Sequence, residues 1–198
     1  GGRALALGVD VSDRAAIESA VAEVATTLGP PLILVNNAGI TPFEKFLDIS
    51  REDFQRVIEV NVFGTFEFCQ VVLPHMIDAG WGRIVNISSS SAQTGSARQT
   101  HYSASKGAVM AFTKSLAREV GRTGITVNTV PPGFVETPSL HAAEDEGYLS
   151  IEVATKMVPV NRVGQPEDIA AACAYLVRDD AGFITGQIIG VNGGRVTG

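Results

Sequence analysis

The sequence predicts an α/β fold built on one largely parallel sheet, and three observations carry that prediction. Short apolar runs alternate along the whole chain with longer segments of helical periodicity. The run Leu32–Val35 is apolar on both faces, as a strand covered by helices on two sides is. The segments joining the runs are of the length that crossover helices between parallel strands require.

Taken in order, Ala4–Val9 is the first predicted strand, and in the following Asp10-Val11-Ser12-Asp13 the Ser12 side chain is a good N-cap. Ile17, Val21, Val24 and Leu28 then recur at helical spacing until Gly29-Pro30-Pro31 stops the helix. The strand Leu32–Val35 runs straight into Asn36-Asn37-Ala38-Gly39. Ser50-Arg51-Glu52-Asp53 resembles a capping box with Asp in place of Glu. It opens one long helix from about Asp53 to Asp78, apolar almost all round and therefore buried or in an interface. Asn61 lies in its middle, where an amide is costly unless it has partners. Gly80-Trp81-Gly82 turns the chain into an apolar strand, Arg83–Ile87, which ends at Ser88. A helix then runs from Tyr102 through Val109, Phe112, Leu116 and Val120 to Gly121, and Ile125–Val130 is the next strand. Pro131–Pro138 breaks regular structure. Ser139–Val160 reads as a mobile lid of one or two helices, its acidic run Glu144-Asp145-Glu146 forming a solvated face. Pro166 stands at a helix N1 with Glu167 and Asp168 in the first turn, and Ile169–Val177 is Ala-rich and apolar. Gln187–Val191 is the last strand, before Asn192-Gly193-Gly194. No repeat or linker interrupts the pattern, so residues 1–198 are expected to form one domain with a substrate lid at about 139–160.

Composition narrows the function classes. Of 198 residues 45% are hydrophobic and 18% charged, a globular profile. A net charge of −6 with no Lys/Arg run argues against a nucleic-acid surface. No apolar run is read as long enough to span a membrane, the N-terminus lacks signal-peptide form, and a cytoplasmic location is the default expectation. Cys69 and Cys173 lie in apolar helical patterns and read as buried, reduced thiols. The sequon Asn86-Ile87-Ser88 falls on a buried strand and is discounted. No Cys/His or carboxylate cluster has metal-ligand spacing, so no metal is expected.

The chemistry concentrates between Ser89 and Lys106. Tyr102 and Lys106, four apart on a helix, share one face. A phenol titrates near pH 10, and an ammonium a few ångströms away favours the phenolate. A serine hydroxyl delivered from the preceding strand would bond a substrate oxygen beside that phenol. Such a site moves a proton to or from an alcohol or carbonyl oxygen.

These motifs, in this order, resemble the short-chain dehydrogenase/reductase family over nearly the whole chain, with spacings nearest its 3-oxoacyl-acyl-carrier-protein reductases and their sugar-, polyol- and steroid-oxidising relatives. Asn36-Asn37-Ala38-Gly39 after a strand, Asn61 in the long helix, Ser89 thirteen residues before Tyr102, and Tyr102-x-x-x-Lys106 carry the resemblance. So do Pro132-Gly133-Phe134-Val135-Glu136-Thr137, Ile184-Thr185-Gly186-Gln187 and Val191-Asn192-Gly193-Gly194. The resemblance implies a Rossmann-like, doubly wound parallel sheet in three αβα layers, and a hydride transfer between NAD or NADP and a secondary alcohol or ketone. It implies Tyr102 as general acid/base, with Lys106 lowering the phenol's pKa and holding the nicotinamide ribose. It gives Ser89, rather than its neighbour Ser88, to the substrate oxygen, and Asn61 to a water that relays protons from Lys106. Asp10 and Val11 would meet the adenine, and Asn37, Ala38 and Gly39 the adenosine ribose. Pro132, Gly133, Val135 and Thr137 would hold the carboxamide. Structural alternatives stay open: Asn36 and Asn37 as ties between strands, Asp10 as a helix N-terminal partner, Thr137 as a cap of the lid. His101 and His141 are read as structural.

Two departures follow. Pro131 stands where many relatives have Ala, stiffening the carboxamide loop. The family's Thr-Gly-x-x-x-Gly-x-Gly phosphate turn is absent from Gly1 onward, together with the first two strands and helices. The expectation is a longer protein with about 50 further N-terminal residues, without which this piece would neither fold stably nor bind cofactor. The choice between NAD and NADP is then unreadable. The lid carries no arginine before Arg162, which disfavours a clamp for a phosphate or carboxylate. A homo-tetramer with paired long helices is expected, a dimer failing that, acting on a small-molecule alcohol or carbonyl substrate. The rival readings are a non-catalytic binding or regulatory protein of the same fold and an inactive truncated relative.

Overall fold

The computed structural model describes residues 2–197. Helix α1 spans Arg14–Leu28, strand β1 Ile33–Asn36, and helix α2 Arg51–Ile58. A π-helical turn, Glu59–Phe63, joins α2 without a break to α3, Gly64–Ala79. Then come β2 at Gly82–Ile87, the single turn α4 at Ser91–Thr94, α5 at Thr100–Val120, and β3 at Ile125–Val130. Helices α6, Pro138–Asp145, and α7, Ile151–Lys156, form the predicted lid segment, and α8 spans Pro166–Leu176.

The strands pair in parallel in the order β1-β2-β3, with Ile33 opposite Arg83 and Ile84 opposite Val127. The period of two along the strands sorts the core into two compartments. Ile84, Ile125 and Val127 face α1, α3 and α5, where they meet Ile17, Cys69, Val72 and Met76. Val85, Ile87 and Val130 face the other way, onto Leu176 of α8. This is the parallel α/β sheet that the alternating pattern predicts, in the three αβα layers that the resemblance implies, and all of β2 and β3 is buried.

Several elements differ from expectation, each for a local reason. Residues Ala4–Val9 form no strand, because no described strand lies beside them to supply ladder hydrogen bonds. Asp13, not Ser12, caps α1, its carboxylate accepting from the amides of Ala15 (2.9 Å) and Ala16 (3.2 Å). Ser12 is instead drawn to Asp10 through its amide (2.9 Å) and hydroxyl (2.6 Å). Ser50 caps α2 by accepting from the Asp53 amide at 3.0 Å, but the Asp53 carboxylate takes the Ser50 hydroxyl rather than its backbone amide. The reciprocal box is completed at α8, between Gln165 and Asp168. Gln187–Val191 pairs with β3 only at single bridges, Thr129 with Ile188 and Pro132 with Val191, so the last strand is ragged.

The continuous helix Arg51–Ala79 corrects another expectation, for it is long and apolar enough by length and composition to cross a membrane. Its polar interruptions at Glu59, Asn61, Glu67 and Gln70 had hidden that. One side is buried, Cys69, Val72 and Met76 packing with the sheet and Val57 and Val60 lying in segments that contact α5, while Phe54, Phe63 and Phe66 stay partly exposed. It is therefore both of the things its all-round apolarity predicts, a core helix and one with a remaining apolar face. The turn at Gly80, where β2 begins, and the turn at Gly124, where β3 begins, touch each other. Gly124 has φ +80°, and a Cβ there would lie 2.2 Å from the Gly80 carbonyl oxygen. Gly124→Ala is expected to lose about 2 kcal/mol of stability, measured by urea unfolding.

Candidate active site

All three strands end on one side of the sheet, and the chain leaves each there into a segment that the sequence marks for chemistry. After β1 comes Asn36-Asn37-Ala38-Gly39, after β2 Ser88-Ser89, and after β3 the Pro131–Thr137 loop. Helix α5 crosses beneath them and presents Tyr102 and Lys106.

The π turn explains how Asn61 joins this group. A π turn widens the helix by one residue and so re-aims a side chain. Asn61, fully buried, accepts from the Ile40 amide at 2.9 Å and donates to the Ile40 carbonyl at 3.0 Å and to Ser105 Oγ at 3.0 Å. Its own carbonyl accepts from Thr65 Oγ1 at 3.1 Å, and the cost of its burial is met by these partners. Gly39 is held against the amide, since a Cβ there would come within 3.0 Å of Asn61 Oδ1 and 3.3 Å of Lys106 Nζ.

Ser88 and Ser89 have parted roles. Ser88 is buried and accepts from Thr129 Oγ1 at 2.9 Å, a tie between β2 and β3. Ser89 stands in the cavity with Tyr102, its hydroxyl 2.8 Å from Ser91 Oγ. Asn36 takes the structural alternative, donating to Asn86 Oδ1 at 2.9 Å across β1 and β2. Asn37 faces the cavities instead.

The electrostatics correct one expectation. The Tyr102 phenol lies above its ordinary value, because burial outweighs the Ser89 and Thr41 hydroxyls that pull it down. Lys106 does not lower it here: its Nζ sits 6.0 Å from the Tyr102 ring centroid and donates to the Ile87 carbonyl at 2.9 Å. Burial pulls Lys106 itself down to about 8. Between about 8 and its unfolded value of 10.5 the unfolded chain binds the proton that the folded chain has released. Stability therefore rises with pH across that window and is lost again as pH falls through it. Thermal melts of the cofactor-free protein are expected to show this rise, and Lys106→Met to flatten it.

The cavity above these residues holds about 750 Å³. Phe43, Phe134, Leu140, Leu149 and Ile169 make it mostly apolar, and lid helix α6 with the Leu149 turn after it forms part of its wall. Thr137 fills both roles left open for it, lining this cavity and capping α6 through the Leu140 amide at 3.3 Å. Cys173 is only half-buried and lines the same wall, unlike Cys69, which is buried in the core with its thiol pushed up to about 12. In the lid, Glu144 departs from the solvated face by accepting from the Ile151 amide at 2.7 Å, while Asp145 and Glu146 are exposed. His141 pairs with Glu136, and His101 is fully buried within α5.

Two smaller hollows adjoin the cavity. One, of about 170 Å³, lies between Gly39, Lys106, Tyr102, Ser88 and Gly133. The other, of about 160 Å³, lies between Val11, Asn37, Ala38 and Gly64, where a Cβ on Gly64 would meet the Val11 carbonyl at 3.0 Å. Asp10 stays exposed beside it, its carboxyl held below the usual range by Ser12. Small residues, hydroxyls and one ammonium suit the flat, polar halves of a dinucleotide. No group of three or more His, Cys, Asp or Glu is placed to hold a metal among the described residues.

The chain is similar over most of its length to known reductases. A family model described as enoyl-(acyl carrier protein) reductase matches residues 1–195. Acetoacetyl-CoA reductase of Cupriavidus necator is 42% identical over 185 residues, covering 93% of this chain and 74% of that protein. The 3-oxoacyl-[acyl-carrier-protein] reductase FabG of Thermotoga maritima is 39% identical over 188 residues, 95% of this chain and 75% of that protein. The solved structure titled "ElxO with NADP Bound" superposes with a TM-score of 0.88 at 31% identity, covering 94% of this chain and 76% of that one.

Proposed function

The chain belongs to the short-chain dehydrogenase/reductase family, among its 3-oxoacyl-acyl-carrier-protein-reductase-like members, and on that premise we propose how its residues divide the work of an NAD(P)-dependent reduction. The observation that carries the proposal is that Ser89 and Tyr102 line both the apolar cavity and the hollow beside it, that Lys106 lines that hollow with them, and that Asn61 is bonded behind it to Ile40 and Ser105.

A bound nicotinamide cofactor supplies the hydride, and the protein supplies position and protons. Tyr102 is the general acid. Its upward-shifted phenol is protonated at neutral pH, the form needed to give a proton to a carbonyl oxygen as that oxygen gains charge. The Ser89 hydroxyl holds the same oxygen and stabilises its developing charge. Lys106 binds the ribose from the hollow beside Gly39, and Asn61 anchors the water path that returns a proton to it. Val11, Asn37 and Ala38, with Asp10 at the rim, border the adenosine hollow, and Pro132, Gly133, Val135 and Thr137 hold the carboxamide. Residues 1–198 act as one domain, with 139–160 closing over the substrate.

The names of the relatives make 3-oxoacyl thioesters the first substrates to try, ahead of sugars, polyols and steroids. The partly exposed Phe63 and Phe66, the latter edge-on to Phe112 of α5 at 6.3 Å, support a tetramer paired through these helices. The test is NAD(P)H consumption by the intact protein with acetoacetyl thioesters and simple ketones. Cofactor binding without turnover of any of them would leave the non-catalytic alternative in its place.

A further inference from the structure

The cavity wall contains one permanently charged side chain, and it comes from the far end of the chain. The Asn192-Gly193-Gly194 turn brings it there. Gly193 and Gly194 have φ +63° and +87°, and a Cβ on Gly193 would collide with Val158 and Val160 at 2.5 and 2.7 Å. The Asn192 carboxamide oxygen accepts from the Gly194 amide at 3.0 Å. The chain thereby folds back and lays Arg195 over the Phe134 ring, 4.5 Å from its centroid, with Nη1 donating to Ser90 Oγ at 2.9 Å.

No described side chain neutralises this cation. Among the described residues Arg195 is in no ion pair, and no Asp or Glu lines the cavity with it. A half-buried guanidinium on an apolar wall is costly to hold without a counter-charge. The contacts to Ser90 and Phe134 fix its direction but use one donor and one face. A guanidinium has five N–H donors in a planar fork that matches a carboxylate or phosphate. Ser90 follows Ser89 directly, so the guanidinium lies no more than roughly 11 Å from the Ser89 hydroxyl.

We propose that Arg195 is the substrate's anion anchor: the ketone reduced here carries an oxyanion, carboxylate or phosphate monoester, a few bonds from its carbonyl, with an apolar segment between. This rests on the proposed carbonyl reduction and narrows the substrate class of that same site, placing ketones with such an anion ahead of the thioesters that the relatives' names suggest. It also reverses the expectation that the cavity lacks a clamp. The lid lacks one, but the C-terminal turn provides it.

The test compares 4-oxopentanoate, its methyl ester and a ketone bearing a phosphate monoester at similar reach, in the intact protein and in Arg195→Gln and Arg195→Lys. At least one anionic ketone is expected to exceed the neutral ester in kcat/KM by roughly 10–100-fold, and which one tells carboxylate from phosphate. Arg195→Gln should erase that preference through KM, leave the ester and the cofactor KM within about threefold, and be partly rescued by Arg195→Lys. Equal rates on ester and anions in the unsubstituted protein, or a rise in cofactor KM instead, would overturn the anchor while leaving carbonyl reduction standing. Should no ketone be reduced, calorimetry of 4-hydroxypentanoate and of the phosphate-bearing alcohol with cofactor present still decides the anchor. Binding of either, lost in Arg195→Gln, supports it, and binding of neither, or binding unchanged by Arg195→Gln, refutes it.

Discussion

Tyr102→Phe is expected to lower kcat by about 10²–10⁴-fold while cofactor affinity stays within a few-fold. The substitution removes one oxygen and leaves the ring, so the packing of α5 beneath the cavity survives. What disappears is the proton donor between the Ser89 and Thr41 hydroxyls, the two groups that temper the effect of burial on the phenol. The direction of that shift adds a second expectation. A phenol above its ordinary value stays protonated at neutral pH, so alcohol oxidation, which needs the phenolate, should gain rate toward alkaline pH, while carbonyl reduction, which uses the protonated form, should not. Single-turnover reduction followed at the NAD(P)H absorbance separates the loss of chemistry from any loss of binding. A Phe variant that keeps more than about a tenth of the rate would remove Tyr102 from the role of acid.

Asn61→Ala is expected to cost roughly 3–5 kcal/mol of stability and most of the activity as well. The side chain closes a two-way pair with the Ile40 backbone and a third bond to Ser105. Truncation strands the Ile40 amide and carbonyl at the end of the Asn37–Gly39 segment, and that segment forms one wall of the hollow holding Lys106. Denaturant unfolding measures the first loss, and the KM for cofactor together with kcat the second. A variant of unchanged midpoint would show that the π turn does not depend on its amide.

The comparison of sequence with structure follows from what each signal depends on. That Ser89, Tyr102 and Lys106 would lie beside one hollow was legible because a strand end and one helical turn fix their relation locally. Strands β2 and β3 were legible because burial on two faces leaves an apolar run with no alternative partner. The Ala4–Val9 strand failed because strand formation needs a neighbour, and apolar content does not reveal whether one is present. The cap of α1 moved one residue because Ser12 found Asp10 within reach. The π turn left no mark in the sequence, since one extra residue barely disturbs an apolar pattern that already runs round the helix. Arg195 was invisible for a different reason: its place in the cavity depends on a contact with Ser90 across 105 residues, which no local pattern encodes.

The sheet divides more than the core. Tyr102, Lys106 and Asn61 stand on helices rooted in the larger compartment, under α1, α3 and α5. Ile169 and Cys173 belong to the smaller compartment under α8, and the lid lies on the same side of the cavity. A larger and a smaller apolar cluster therefore meet at the cavity. The smaller one, with the lid beside it, is expected to open at a lower free energy than the larger one, and native-state hydrogen exchange measures that difference. The proton-handling residues would then stay anchored in the better protected side of the sheet.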